Sequence, residues 1–180
     1  MVMGLADSKG PNVFNEHERV LPASPEAVGA LLDTLGSEQD ALWPADRWPA
    51  MCLDKPLQVG AKGGHGPIRY YVVEYEPGHA VEFRFSGPPG FAGGHEFLVE
   101  RAELNGARAA RLRHVVALKP LGDARLTWPL VYRPLHDALM EDLLDRAEAT
   151  IAGRPVPRSN WSWWVRTLRR FMKGRVGAEG

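Results

Sequence analysis

Sulfur chemistry is nearly missing from this sequence. Of 180 residues a single one is cysteine, Cys52, which excludes an intrachain disulfide and a cysteine-ligated metal cluster. A lone thiol in such a chain reads as a small buried apolar residue rather than a nucleophile. Net charge is missing as well: Lys+Arg and Asp+Glu number 22 each. That balance removes the broad basic field that would draw a protein to nucleic acid, and no nucleic-acid partner is expected. No stretch of ~18 apolar residues occurs, so no membrane-spanning helix is expected. The N-terminal "MVMGLADSKGPN" lacks the basic start and apolar run of an export signal, and the protein reads as cytoplasmic. There is no nucleophile elbow, phosphate loop or dinucleotide fingerprint, and no cofactor is expected.

What is present is 44% hydrophobic content, enough for one domain with a core of its own. Residues 1–11 read as a loose arm, 12–153 as the domain, and 154–180 as a linker and tail. "VFNEHERVL", Val13 to Leu21, alternates like a strand, with Phe14 and Val20 on one face and His17 and Arg19 on the other. "SPEAVGALLDTLG" carries its own helix signals: Ser24 at the N-cap, Pro25 in the first turn, an apolar stripe of Val28, Leu31, Leu32 and Leu35, and Gly36 as the stop. A second short helix is expected from Ser37, breaking at Pro44 and Pro49.

From Leu57 the punctuation becomes that of an antiparallel meander. "LQVGAKGG", "PIRYYVVEY", "AVEFRFS", "HEFLVERAEL" and "ARAARLRHVVALK" are separated by turn signals, the strongest being Asn105–Gly106. A last short strand is expected near "ARLTWPLVY", Ala124 to Tyr132. "RPLHDALMEDLLDRAEATIAG" then reads as a long helix entered through Pro134 and stopped at Gly153. The fold class is α+β: a curved antiparallel sheet around a long C-terminal helix, with two short helices after the first strand.

This order of elements, with the motifs "VGAKGGHGPIRY", "FRFSGPPGFAGGHEFLVE", "LRHVV" and "PLHDALMEDLLDRAE", resembles the helix-grip fold of the START and Bet v 1-like (SRPBCC) superfamily, in its bacterial polyketide cyclase or dehydrase-like branch. The resemblance spans roughly Asn12 to Gly153. It implies a cavity between helix and sheet that takes a hydrophobic small molecule, or a cofactor-independent cyclase or dehydratase.

The histidines are the polar residues most in need of explanation. A turn at Asn105–Gly106 pairs Leu104 with Ala107, and counting back sets Phe97 opposite His114 and His95 opposite Val116. His95 and His114 then share the apolar face as diagonal neighbours, roughly 7–8 Å apart at the backbone. On the long helix His136 falls at the centre of the stripe made by Leu135, Leu139, Met140, Leu143, Leu144, Ala147 and Ile151. Three histidines are thus expected to face one space, as polar anchors for a ligand or as general acid and base; a core histidine satisfied by hydrogen bonds is the plainer reading of each.

Trp43, Trp48, Tyr70, Phe83, Phe85, Phe97 and Met140 complete the expected lining. Trp43 and Trp48 serve either as a lid or as a seal for the short helices. Tyr70 pairs with Phe85 across a tight turn at Pro77–Gly78, whereas a turn one residue longer brings Tyr71 and Tyr75 inward, and the sequence does not choose. A cavity closed by side chains would make the domain a stability or interaction module instead.

Several features are read as structural. His65, among Gly63, Gly64 and Gly66, sits in a connection at the rim, and His17 and His79 carry no expected role. Asp137, Glu141, Asp145 and Glu148 collect on the helix face away from the stripe and read as solvated, with Arg146 reaching Asp142. No histidine pair has ligand spacing on a helix or strand and no inward carboxylate is evident, so no metal site is expected. The tail "NWSWWVRTLRRFMKGR" places Trp161, Trp164, Val165, Leu168, Phe171 and Met172 on one helical stripe. That stripe packs on the domain or a second copy, or else lies on an anionic membrane surface.

Overall fold

The computed structural model describes residues 12–176. Seven strands form one antiparallel sheet in the order β1-β7-β6-β5-β4-β3-β2: β1 Val13–Leu21, β2 Cys52–Leu53, β3 Lys62–His65, β4 Ile68–Glu76, β5 Ala80–Gly87, β6 Phe91–Leu104 and β7 Ala107–Pro120. Four helices accompany it: α1 Pro25–Leu32, α2 Ala124–Thr127, α3 Arg133–Ala152 and α4 Trp163–Val176. No helix among the described residues is long and apolar enough to cross a membrane.

The β6–β7 hairpin sets the register of the two strands that carry His95 and His114. Asn105 and Gly106 take φ of 53° and 78°, the left-handed pair that a two-residue hairpin turn requires. Leu104 faces Ala107, Phe97 faces His114 and His95 faces Val116, as the sequence implies. The β4–β5 turn is the longer one, with Glu76 facing Ala80 across Pro77–His79, yet a register shift between Val72 and Glu74 still sets Tyr70 opposite Phe85, so that Tyr70 is buried and Tyr71 is outside. On the outer face Glu82 and Glu96 are direct partners on β5 and β6, buried at 3% and 7% exposure.

α1 starts where Ser24 Oγ accepts from the Ala27 amide, and its Val28 and Leu32 are buried. The second short helix does not form. Residues from Ser37 to Trp48 run as successive turns, because the Asp40 carboxylate accepts from the Gly36, Leu42 and Trp43 amides and pre-empts helical bonds.

The strand expected over Ala124–Tyr132 is instead helical. Gly122, at φ 54°, turns the chain out of β7. α2 follows and continues through a wider π turn at Trp128–Tyr132 into α3. Aromatic and β-branched residues suggested a strand there, but Trp128 and Ala124 are buried against Phe91, Val116 and Leu118 in a small second core, which a helical approach serves.

α3 ends at Gly153 in the left-handed conformation, φ 61°. Leu135, Leu139, Met140, Leu143, Leu144 and Ala147 are buried against the sheet. Its acidic face is not simply solvated. Arg19 of β1 bonds Asp145 at 2.6 Å, Glu141 at 3.1 Å and Glu148 at 3.2 Å. Two strand residues advance about 6.8 Å and four helical residues about 6 Å, so alternate β1 side chains match every fourth position of α3. The His17–Arg19 face of β1 is therefore the inner one, and Phe14 lies 63% exposed.

Arg146 does not reach Asp142. It donates to the Ala41 and Asp40 carbonyls. Asp142, 3% exposed, accepts from Arg47, from Trp48 Nε1 at 2.7 Å and from Trp161 Nε1 at 2.9 Å. Arg169 of α4 lies over the Trp48 ring at 4.4 Å, and Val165 is buried. Trp161, Val165, Leu168 and Met172 thus pack on the domain, whereas Phe171, expected on the same stripe, is 72% exposed.

Candidate functional site

Five of the six histidines form one file through the interior. At one end the His65 ring lies 4.7 Å from Trp43, and its Nδ1 is 3.1 Å from the Tyr70 hydroxyl. The Tyr70 ring is 4.9 Å from His95, which is stacked between Phe83 at 4.8 Å and Phe85 at 5.1 Å. Nδ1 of His95 then meets Nε2 of His114 at 3.1 Å. The His114 ring continues to Phe97 at 4.4 Å and to His136 at 5.0 Å. His136 lies 5.6 Å from His17, whose Nε2 and Nδ1 are each 3.1 Å from carboxylate oxygens, of Asp137 and Glu141 respectively.

The elements explain the file. His95 and His114 come from adjacent strands of the hairpin, His136 from the first turn of α3, His17 from β1 and His65 from β3. Trp43 meets the file through His65, and its Nε1 donates to the Pro49 carbonyl. Trp48 is outside the file altogether, engaged with Asp142, Trp161 and Arg169. Met140 lies buried in the main core with Tyr70, Phe83 and Phe97, and Phe85 packs against it half-buried.

The interior between α3 and the sheet is filled by side chains: Tyr70, Phe83, Phe97, Leu112 and Leu143 are each at most 1% exposed. Open pockets lie elsewhere. One of about 710 Å³ is bounded by α1, the Pro77–His79 turn and Val99–Arg101. Another of about 340 Å³ lies between Pro44–Arg47, α3 and Pro155–Arg158. The interior's polar groups are nonetheless not all satisfied. His95 Nε2, His114 Nδ1 and both nitrogens of His136 have no hydrogen-bond partner among the described residues.

Charge follows burial along the file. Burial first, then neighbouring imidazoles, hold His95 and His114 well below the usual histidine range. His65 is pulled down to about 3 by burial, with the charges of His136 and Arg69 adding to it. Burial lowers His136 against the pull of Asp137. At the far end the order reverses: burial opposes it, but the hydrogen bonds and charges of Asp137 and Glu141 raise His17. Burial thus disfavours protonation inside the file, and the carboxylates favour it at the outer end.

Sequence reasoning brought His95, His114 and His136 together and missed His65 and His17. The signal for His65 was the β3–β4 pairing, which sets Gly63 opposite Tyr70 and His65 opposite Ile68. The signal for His17 was its i, i+2 spacing with Arg19, matched to the acidic positions of α3. One atom each of His17, His136 and Asp137 lie within 4.8 Å of one another, a grouping that spacing along the chain does not announce.

No protein-family model matches the chain, and no curated protein sequence does. Among solved structures it is similar to a point mutant of norcoclaurine synthase from Thalictrum flavum in complex with a transition-state analogue: 12% identity, TM-score 0.57, 82% of this chain and 98% of that one. It is similar to Ara h 8.0201 at 15% identity and TM-score 0.54, covering 79% of this chain and 99% of that one. It is also similar to DynU16, a protein of the dynemicin biosynthetic locus, at 19% identity and TM-score 0.51; the match covers 84% of this chain and 52% of that one. At such identities the likeness is one of fold.

Proposed function

Given a chain with the Bet v 1-like helix-grip fold, we propose that it binds a largely apolar, aromatic small molecule carrying a carbonyl or hydroxyl group, held against the histidine file between α3 and the sheet. The observation that carries this reading is the set of orphaned imidazole nitrogens. A neutral imidazole has one N–H and one bare nitrogen. When His95 and His114 share one hydrogen bond, their outer ends therefore present one donor and one acceptor. Leaving such a group buried and unpaired costs about 1–3 kcal/mol, which a ligand oxygen would offset. The surrounding rings of Tyr70, Phe83, Phe85 and Phe97 suit an aromatic body. Admission requires displacement of the half-buried Ile68 and Phe85, which pack against both cores.

A second reading makes the pair an acid–base couple in a cyclase or dehydratase-like enzyme. Its support is that burial keeps both imidazoles neutral, so that one can accept a proton while its partner donates. The domain limits are proposed as 12–153, with 154–180 as linker and tail.

Native mass spectrometry of the purified full chain is the test, followed by titration with planar aromatic ketones and phenols. A retained or titratable ligand is expected, with His114→Phe weakening it about 3–10-fold for one lost hydrogen bond. A loss of turnover of about 100-fold, with binding retained, would favour the enzyme. Neither retained ligand nor binding of any probe would leave a side-chain-filled module.

A further inference from the structure

Where α3 crosses β1, donor atoms from two elements converge on Oδ1 of Asp137. His17 Nε2 lies 3.1 Å from it, Asn15 Nδ2 3.0 Å and His136 Nδ1 3.7 Å. Nitrogen and oxygen ligands about 2.0–2.2 Å from a common ion are about 3.0–3.6 Å from one another. The spacing here needs only small side-chain rotations to reach that.

Two further observations point to an ion. Asn15 is 8% exposed, yet its Oδ1 has no hydrogen-bond partner among the described residues, and neither has either nitrogen of His136. Rotation about the last bond of Asn15 exchanges its two amide atoms and brings Oδ1 to bear as a further donor. His17, in turn, is oriented as metal-binding imidazoles are: its second nitrogen bonds the Glu141 carboxylate at 3.1 Å, and Arg19 holds that carboxylate at 3.1 Å.

We infer that His17, His136 and Asp137, with Asn15, form a binding site for a divalent first-row transition ion of the zinc type. Two imidazoles with one carboxylate and one amide oxygen favour such an ion over calcium or magnesium, which take shells of oxygen. The Asp137 side chain is 39% exposed, so the ion has a route in from solvent. Arg133, 3.8 Å from Oδ2, balances the second oxygen of the carboxylate and leaves Oδ1 for the ion.

The test is titration of the chelator-treated full chain with zinc sulfate by calorimetry, and with cobalt chloride by visible spectroscopy. One equivalent is expected to bind with a dissociation constant in the micromolar range or tighter, and cobalt should show ligand-field bands without thiolate charge transfer. Asp137→Asn and His17→Gln should each weaken binding by about 100-fold or more, and Glu141→Gln by about 10–100-fold. His79→Gln should change nothing. In the wild type, zinc should shift the imidazole NMR signals of His17 and His136 and leave that of His79 in place, a readout that needs no variant to fold. No stoichiometric uptake, uptake undiminished by Asp137→Asn, a thiolate spectrum from Cys52, or imidazole shifts absent or spread over all histidines would each overturn the assignment.

Discussion

Nδ1 of His95 lies 3.1 Å from Nε2 of His114, between rings, with the outer nitrogen of each residue bare of partners. One shared hydrogen bond is all the satisfaction this pair receives within the described chain. Removing either ring strands the other's inner nitrogen as well.

Coupling between the two should be measurable in a double-mutant cycle. His95→Phe and His114→Phe are each expected to destabilise by about 1–3 kcal/mol, through the stranded partner and the altered packing. The double variant should fall short of their sum by about 0.5–1.5 kcal/mol. Urea denaturation of the four proteins checks this, and strict additivity would mean that the contact does nothing for stability.

Acid sensitivity is the next expectation, tested through His65. Its folded pKa, about 3, lies below the usual 6.5. Between those values the unfolded chain binds a proton that the folded chain refuses, so this histidine costs nothing above pH 6.5 and an increasing amount as pH falls toward 3. The slope is about 1.4 kcal/mol per pH unit for one such group. Glu82 and Glu96 act oppositely. Burial raises both, so their contribution is full below the ordinary glutamate range and is lost as pH rises through their folded values. Comparing wild type with His65→Gln removes that background. The difference in unfolding free energy should grow in favour of the variant from pH 6.5 to 4.5, and a flat difference would falsify the neutral buried state.

Asp142 should be among the costliest single positions. Asp142→Ala leaves the guanidinium of Arg47 and the indole N–H groups of Trp48 and Trp161 without their acceptor. A loss of about 3–5 kcal/mol is expected, as for other broken buried pairs. Limited proteolysis should show earlier cutting in the Pro155–Arg158 segment, and unchanged cutting would mean that the tail is held by something other than this carboxylate.

Deleting residues 160–180 should lower stability without altering vesicle sedimentation. Val165, Leu168 and Arg169 face the domain, and Trp164 Nε1 donates to the Leu130 carbonyl at 2.8 Å. The basic apolar stripe is thus largely spent on the protein itself. Sedimentation of the full chain with anionic liposomes, lost on deletion, would instead assign the exposed Trp163 and Phe171 to a membrane surface.

Much of the sheet could be read from residues because its register is local. Asn105–Gly106 fixes the turn, period 2 does the rest, and His95 and His114 fall where counting places them. His136 was legible for the same kind of reason, a 3.6 period with a polar residue inside it. What escaped was the pairing of β1 with α3. His17 and Arg19 look like outward residues until the acidic face of a helix over a hundred positions later is laid against them, and nothing local announces that. The helical run from Ala124 escaped because Trp128, Leu130, Val131 and Tyr132 favour a strand by propensity, and only the second core around Phe91 overrides it. The turns after Ser37 were decided by one carboxylate, Asp40, whose side-chain bonds compete with a helix that composition allowed.

The β6–β7 hairpin has a consequence for the order in which the site comes into being. Strands joined by a two-residue turn need close only a short loop, and such hairpins form in about 1–10 μs, well before distant segments are recruited. If the hairpin closes first, the two central imidazoles meet while both are still in water, with their outer nitrogens hydrated. Water leaves them only when α3 closes over the sheet and delivers His136. Drying, rather than pairing, is then the step that pushes both rings toward the neutral form.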